Sequence, residues 1–145
     1  MIASTHRDAA LGLMTAYCEA SSASPDERRF VIRTFFNRLA LGKPARYGST
    51  VAGVCVKRYQ YSEWNADVAD NANLERGAEA PEDDPVLQDC AAAYDEVAGD
   101  VAAGAPDPTG GATHYFDHSI KPPYWAAQAT ITLTTDNFTF LKDVP

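Results

Sequence analysis

The sequence predicts an α+β fold, mainly helical, with a small antiparallel sheet toward the C-terminus. Helix-start signals followed by apolar residues at helical spacing recur as far as Gly104. The turn-rich stretch Pro106-Asp107-Pro108-Thr109-Gly110-Gly111 then changes the texture. Beyond it come short segments with the alternation of strands.

Each element follows from local chemistry. Thr5 and Asp8 have capping-box spacing, and Ala10, Leu13, Met14 and Tyr17 make an apolar stripe behind them. Ser24-Pro25-Asp26-Glu27 places a hydroxyl at the N-cap, proline at the first helical position and a carboxylate where the helix dipole favours it. Phe30, Val31, Phe35 and Leu39 form the buried face of that second helix, which Gly42 and Pro44 end. Val51, Val54 and Cys55 give the segment Ser49 to Lys57 helical spacing. From Tyr59 to about Asp83 the periodicity stops, and the segment reads as a long surface loop. Asp84-Pro85 restarts a helix carrying Leu87, Cys90, Ala91, Tyr94, Val97, Ala98 and Val101. Strand-like pieces follow at Ala112–Phe116, Ala129–Thr134 and Phe138–Leu141, with a hairpin turn at Asp136-Asn137.

Composition narrows the class. A chain of 145 residues suits one domain, 1–145, and 46% hydrophobic residues can fill its core. The formal charge is −8, and the twelve basic residues are scattered, which speaks against nucleic acid as partner. No apolar run is long enough to span a bilayer, and no signal peptide is visible at the N-terminus. The odd set Cys18, Cys55 and Cys90 reads as reduced, core-packed thiols.

Three places can carry chemistry. Glu19 closes the first helix just before Ser21-Ser22-Ala23-Ser24 breaks it. A carboxyl partly withdrawn from water there keeps its proton more readily, as a general acid requires; the same residue also suits a solvated helix surface. Arg58-Tyr59-Gln60-Tyr61-Ser62-Glu63-Trp64-Asn65 alternates aromatics with amides and hydroxyls, which suits a carbohydrate groove or a half-buried strand. Gly110 through His118, continued by Pro122-Pro123-Tyr124-Trp125-Ala126, combines a glycine turn with Thr113, His114 and Tyr115. A metal at His114 and His118 is disfavoured, since residues four apart on a strand lie about 13 Å apart. A Cys18–His114 thiol dyad competes with Cys18 as a small core residue.

Taken together, Cys18-Glu19-Ala20, Asn37-Arg38-Leu39, Thr50-Val51-x-Gly53-Val54, Gln60-Tyr61-Ser62-x-Trp64-Asn65, Asp107 through Tyr115, and Pro123-x-Trp125-Ala126 stand in a fixed order. This series resembles the SleB-type cell-wall hydrolase family, over roughly residues 9–142. The resemblance implies a lysozyme-like catalytic domain acting on peptidoglycan, with Glu19 as its glutamate. It carries Gln60, Ser62, Thr113 and Tyr115 over as substrate contacts, with Trp64, His114 and Trp125 beside them and Asn37 in support. Ala23 stands where family members often have a second glutamate, and Phe138 where the family's C-terminal histidine falls.

A single glutamate permits a lytic transglycosylase, which needs no cofactor or metal. The alternatives are a hydrolytic muramidase using Glu63 or Asp117 as second carboxylate, a glycan-binding module without activity, and a cysteine peptidase. The expected setting is a monomeric bacteriophage endolysin, made in the host cytoplasm and acting on the wall after holin-type release. No separate wall-binding domain and no membrane insertion are expected.

Overall fold

The computed structural model describes residues 4–57, 60, 61, 64 and 71–145. Its elements run α1 (His6–Ala20), α2 (Pro25–Ala40), α3 (Pro44–Tyr47), α4 (Val51–Val56), α5 (Asn71–Glu79), α6 (Pro85–Ala102), β1 (His114–Asp117), a 3-10 turn (Tyr124–Gln128), β2 (Thr130–Thr134) and β3 (Phe138–Lys142). The three strands form one antiparallel sheet in the order β1-β3-β2. This is the α+β, mainly helical architecture that the sequence predicts.

Both capping boxes form. Thr5 Oγ1 accepts from the Asp8 amide, and the Asp8 carboxylate accepts from the Thr5 amide. Asp8 is buried and its other oxygen takes the Ala52 amide at 2.8 Å, so one residue caps α1 and anchors α4 to it. Burial opposes ionisation there, but the Ala52 and Thr5 donors outweigh it and hold the carboxyl below its ordinary range.

The buried side of α1 differs from the expected stripe. Ala10 is exposed, while Gly12, Thr15, Ala16, Tyr17 and Ala20 are buried. The reason is that α1 is surrounded: α2, α4 and α6 pack on its small-residue side, and α5 packs against Met14 and Tyr17. Gly12 admits the ring of Tyr94 from α6, and Gly77 of α5 lies against Met14 and Tyr17.

α5 corrects the reading of Tyr59 to Asp83 as loop throughout. Ala72, Leu74, Glu75, Arg76 and Ala78 are adequate helix formers. The face of α5 that meets α1 is small, centred on Gly77, so it leaves little apolar periodicity to read. Pro44 likewise opens α3 rather than merely closing α2, whose end is marked by Gly42 at φ +64°. The strands differ by one or two residues at their ends from those expected.

The core joins helices to sheet. Val31, Ile32 and Phe35 of α2 are wholly buried, and Phe30 meets Phe140 edge to face at 5.9 Å. Tyr115 packs on Phe138 and Phe140, so this face of the sheet looks toward the helices. Phe138 is buried in that aromatic cluster, which gives the position a packing role.

The hairpin between β2 and β3 is tied back to α2 by Glu27. Its carboxylate accepts from the Ser24 amide, the Thr135 hydroxyl at 2.7 Å, and both the backbone and side-chain N–H of Asn137. Burial pushes this carboxyl upward, but the four donors bring it down to about 2. A residue read as a helix cap therefore also fixes the sheet.

Candidate active site

Glu19 stands half-buried on the last turn of α1. The chain just beyond it is held by Arg28, a buried side chain of α2. Arg28 Nε donates to the Ala20 carbonyl at 3.1 Å, and Nη2 donates to those of Ser21 and Ala23 at 3.0 Å. Its remaining nitrogen pairs with Asp89 of α6 at 2.9 Å. One guanidinium thus takes the last carbonyl of α1 and two just beyond it, and the end of α1 is pinned to α2 and α6. Ala23 is buried against the core at this point.

Tyr61 is buried with its hydroxyl 3.3 Å from Thr34 Oγ1 of α2, and burial pushes its ionisation above the ordinary range while Arg38 works in the other direction. Trp64 donates its indole N–H to Thr15 Oγ1 at 2.8 Å, one helical turn before Glu19. Trp64 therefore lies along the C-terminal half of α1, and Tyr61 along α2. Ser62 and Glu63 lie outside the described residues.

Arg38 connects the two loops expected to line the site. It is buried, and its guanidinium carbon sits 4.7 Å from the centre of the Tyr61 ring. Nε donates to the Thr113 carbonyl, and Nη1 donates to Gln60 Oε1 at 3.0 Å. The planar fork of arginine serves the two acceptors from two separate nitrogens, where a lysine has only one. Arg38 carries no assigned role in the sequence reading. The available signal was its position: it falls on the same face of α2 as Val31 and Phe35, an unusual place for a charge.

Its neighbour Asn37 locks the glycine turn. Asn37 Nδ2 donates to Asp107 Oδ2 and to the Ala112 carbonyl, both at 2.8 Å. Asp107 in turn accepts from the Thr109 amide and hydroxyl and from the Gly111 amide. Burial works against the Asp107 charge, but these donors and Arg33 hold its carboxyl low. Gly110 and Gly111 have φ of +65° and +86°, the left-handed region that side chains avoid, so the tight turn depends on them. The result is that Thr113 emerges at a fixed place beside Arg38.

The remaining expected residues divide between the two faces of the sheet. Tyr115 points to the helices, as described above. His114 and Trp125 occupy the other face, their rings 5.2 Å apart, with Tyr47 on the far side of His114 at 6.0 Å. His114 is 9% exposed, and its Nδ1 is 2.9 Å from Thr113 Oγ1. Burial, helped by the charges of Arg38 and Arg46, lowers its pKa to about 3, so the ring is neutral and a poor base for a thiol at Cys18. His118 is turned to the Asp136 carbonyl and Thr139 Oγ1. Asp117 closes β1, where its carboxylate accepts the Ser119 amide.

A family model described as cell wall hydrolase matches residues 24–141. The matched span includes Arg38, Gln60, Trp64, Asp107, Thr113, His114, Tyr115 and Trp125, and it begins after Glu19. No curated protein and no solved structure matches the chain.

Proposed function

The chain belongs to the cell wall hydrolase family, and from that membership we propose that it cuts peptidoglycan between N-acetylmuramic acid and N-acetylglucosamine as a lytic transglycosylase with Glu19 as its acid and base. The observation that carries the choice of residue is the place of Glu19, half-buried on the last turn of α1, the helix end that Arg28 pins and along which the Trp64 indole is bonded to Thr15.

In this reading Glu19 gives its proton to the glycosidic oxygen as the bond to C1 of the muramic acid breaks. The carboxylate then takes the proton of the C6 hydroxyl, whose oxygen attacks C1 and closes a 1,6-anhydro ring. No water is consumed, and the intramolecular attack gains from proximity. Gln60, Trp64, Thr113 and Tyr115 supply glycan contacts, and His114 and Trp125 support Thr113 from behind. Arg38 keeps Gln60 and Thr113 in register across the groove.

A hydrolytic muramidase is the second reading. It requires another carboxylate within about 10 Å of the first. Of the two candidates for it, Glu63 lies outside the described residues, and Asp117 ends β1 with its carboxylate on the Ser119 amide. The setting that suits either activity is a monomeric phage endolysin released to the wall through a holin pore.

Mass spectrometry of fragments released from purified peptidoglycan by the wild type and by Glu19→Gln tests the proposal. Anhydro-muramic products from the wild type, missing with the variant, are expected. Reducing-end muramic acid would replace the transglycosylase by a hydrolase, and equal activity of the two proteins would remove Glu19 from the chemistry.

A further inference from the structure

A cavity of about 250 Å³ opens between α3, the glycine turn and the end of β3. Tyr47 and Thr113, both nearly fully buried, form part of its wall, and Gly111, Lys43, Lys142 and Asp143 complete most of the rest. Thr113 is the residue whose carbonyl Arg38 holds, so the cavity adjoins the proposed glycan groove.

The chain carries −8 in total, and Lys43 and Lys142 line this cavity with one carboxylate, Asp143. Arg46 packs on Tyr47 of the cavity wall, with its guanidinium carbon 4.9 Å from the ring centre and its Nη2 on the Pro145 carbonyl. Neither lysine forms an ion pair among the described residues. Lys142 passes close to Gly111, where an added methyl would lie 3.9 Å from its Cδ. Two cations without acidic partners, beside a concave wall, attract an anion. Asp143 opposes them in part, which favours a singly charged carboxylate over a doubly charged phosphate.

We infer that this cavity receives a carboxylate of the peptide stem attached to the muramic acid. The inference rests on peptidoglycan being the substrate, as proposed above. It makes the enzyme responsive to the stem as well as to the glycan, because the lactyl group that bears the stem projects from the sugar being cut.

The probe is a stem tripeptide with free carboxylates, compared with its fully amidated counterpart, titrated into the wild-type protein by amide NMR. The free acid should shift the signals of Gly111, Thr113 and Lys142, and the amidated peptide should bind less tightly. The double variant Lys43→Ser/Lys142→Ser should weaken the free acid about fivefold, the worth of one or two partly exposed ion pairs. The ratio of cleavage rates on stem-bearing and stem-stripped glycan should fall in the same variant.

Equal binding of acid and amide would overturn the inference, and so would undiminished binding by the double variant or equal shifts from inorganic phosphate. The acid-against-amide comparison decides the matter even if the double variant does not fold. If the wild type cuts neither glycan, the catalytic reading fails, while the peptide titration still answers for the cavity.

Discussion

Arg38 Nη1 donates to Gln60 Oε1 at 3.0 Å, while Nε of the same guanidinium holds the Thr113 carbonyl. One buried cation on α2 therefore sets the separation of two loops that the sequence places far apart. Replacing it by lysine removes at least one of these bonds and leaves a buried acceptor unpaired. Arg38→Lys should destabilise the fold by about 2–4 kcal/mol. It should also raise KM for peptidoglycan. Urea denaturation and rates on purified wall material check the two effects separately.

Glu27 links pH to stability. Its folded pKa of about 2 lies below its unfolded value, so its contribution is fully present above about pH 5 and fades as pH falls toward 2. The group is buried, and the shift corresponds to about 3 kcal/mol. Glu27→Gln should lower the Tm at pH 7 and flatten its fall below pH 5. A Tm series against pH with both proteins shows this, and parallel curves would contradict it.

His114 should remain neutral across the working range. With its pKa lowered to about 3, the imidazole proton signals should show no titration between pH 8 and 5. The sign for stability follows directly: the unfolded histidine takes up a proton below its ordinary pKa of about 6.5 and the folded one does not, so stability falls as pH drops. By pH 5 the loss amounts to about 2 kcal/mol. His114→Gln should remove most of that acid sensitivity above pH 4.

Gly12 sets how closely α1 approaches α6. A methyl built there would overlap Tyr94 Cε2, in a ring whose hydroxyl is bonded to Ser4 Oγ at 2.7 Å. Gly12→Ala should cost about 1–3 kcal/mol despite the better helix propensity of alanine. Thermal unfolding measures it, and a raised Tm would show that Tyr94 can give way.

Much of the helical frame was legible because it depends on neighbours a few residues apart. Thr5 with Asp8, Ser24 with Glu27, and Asp84 with Pro85 announce helices that form where expected. α5 was not legible, since its contact face is a glycine rather than an apolar stripe. The family series was legible from ordered motifs. The place of each motif was not: His114 and Tyr115 are adjacent in sequence, yet strand alternation puts them on opposite faces, and only packing decides which face meets the helices.

The sequence by itself determined the helix starts, the glycine turn, the short C-terminal strands and membership of a cell-wall hydrolase family. Tertiary structure decided where the buried charges go. The Glu27 carboxylate meets Asn137 across 110 residues, and Arg38 meets Thr113 across 75. Capping is a local bond between groups that the backbone already holds close. A buried ion must instead find partners wherever the packed helices and sheet bring them, because leaving water without them is prohibitively unfavourable.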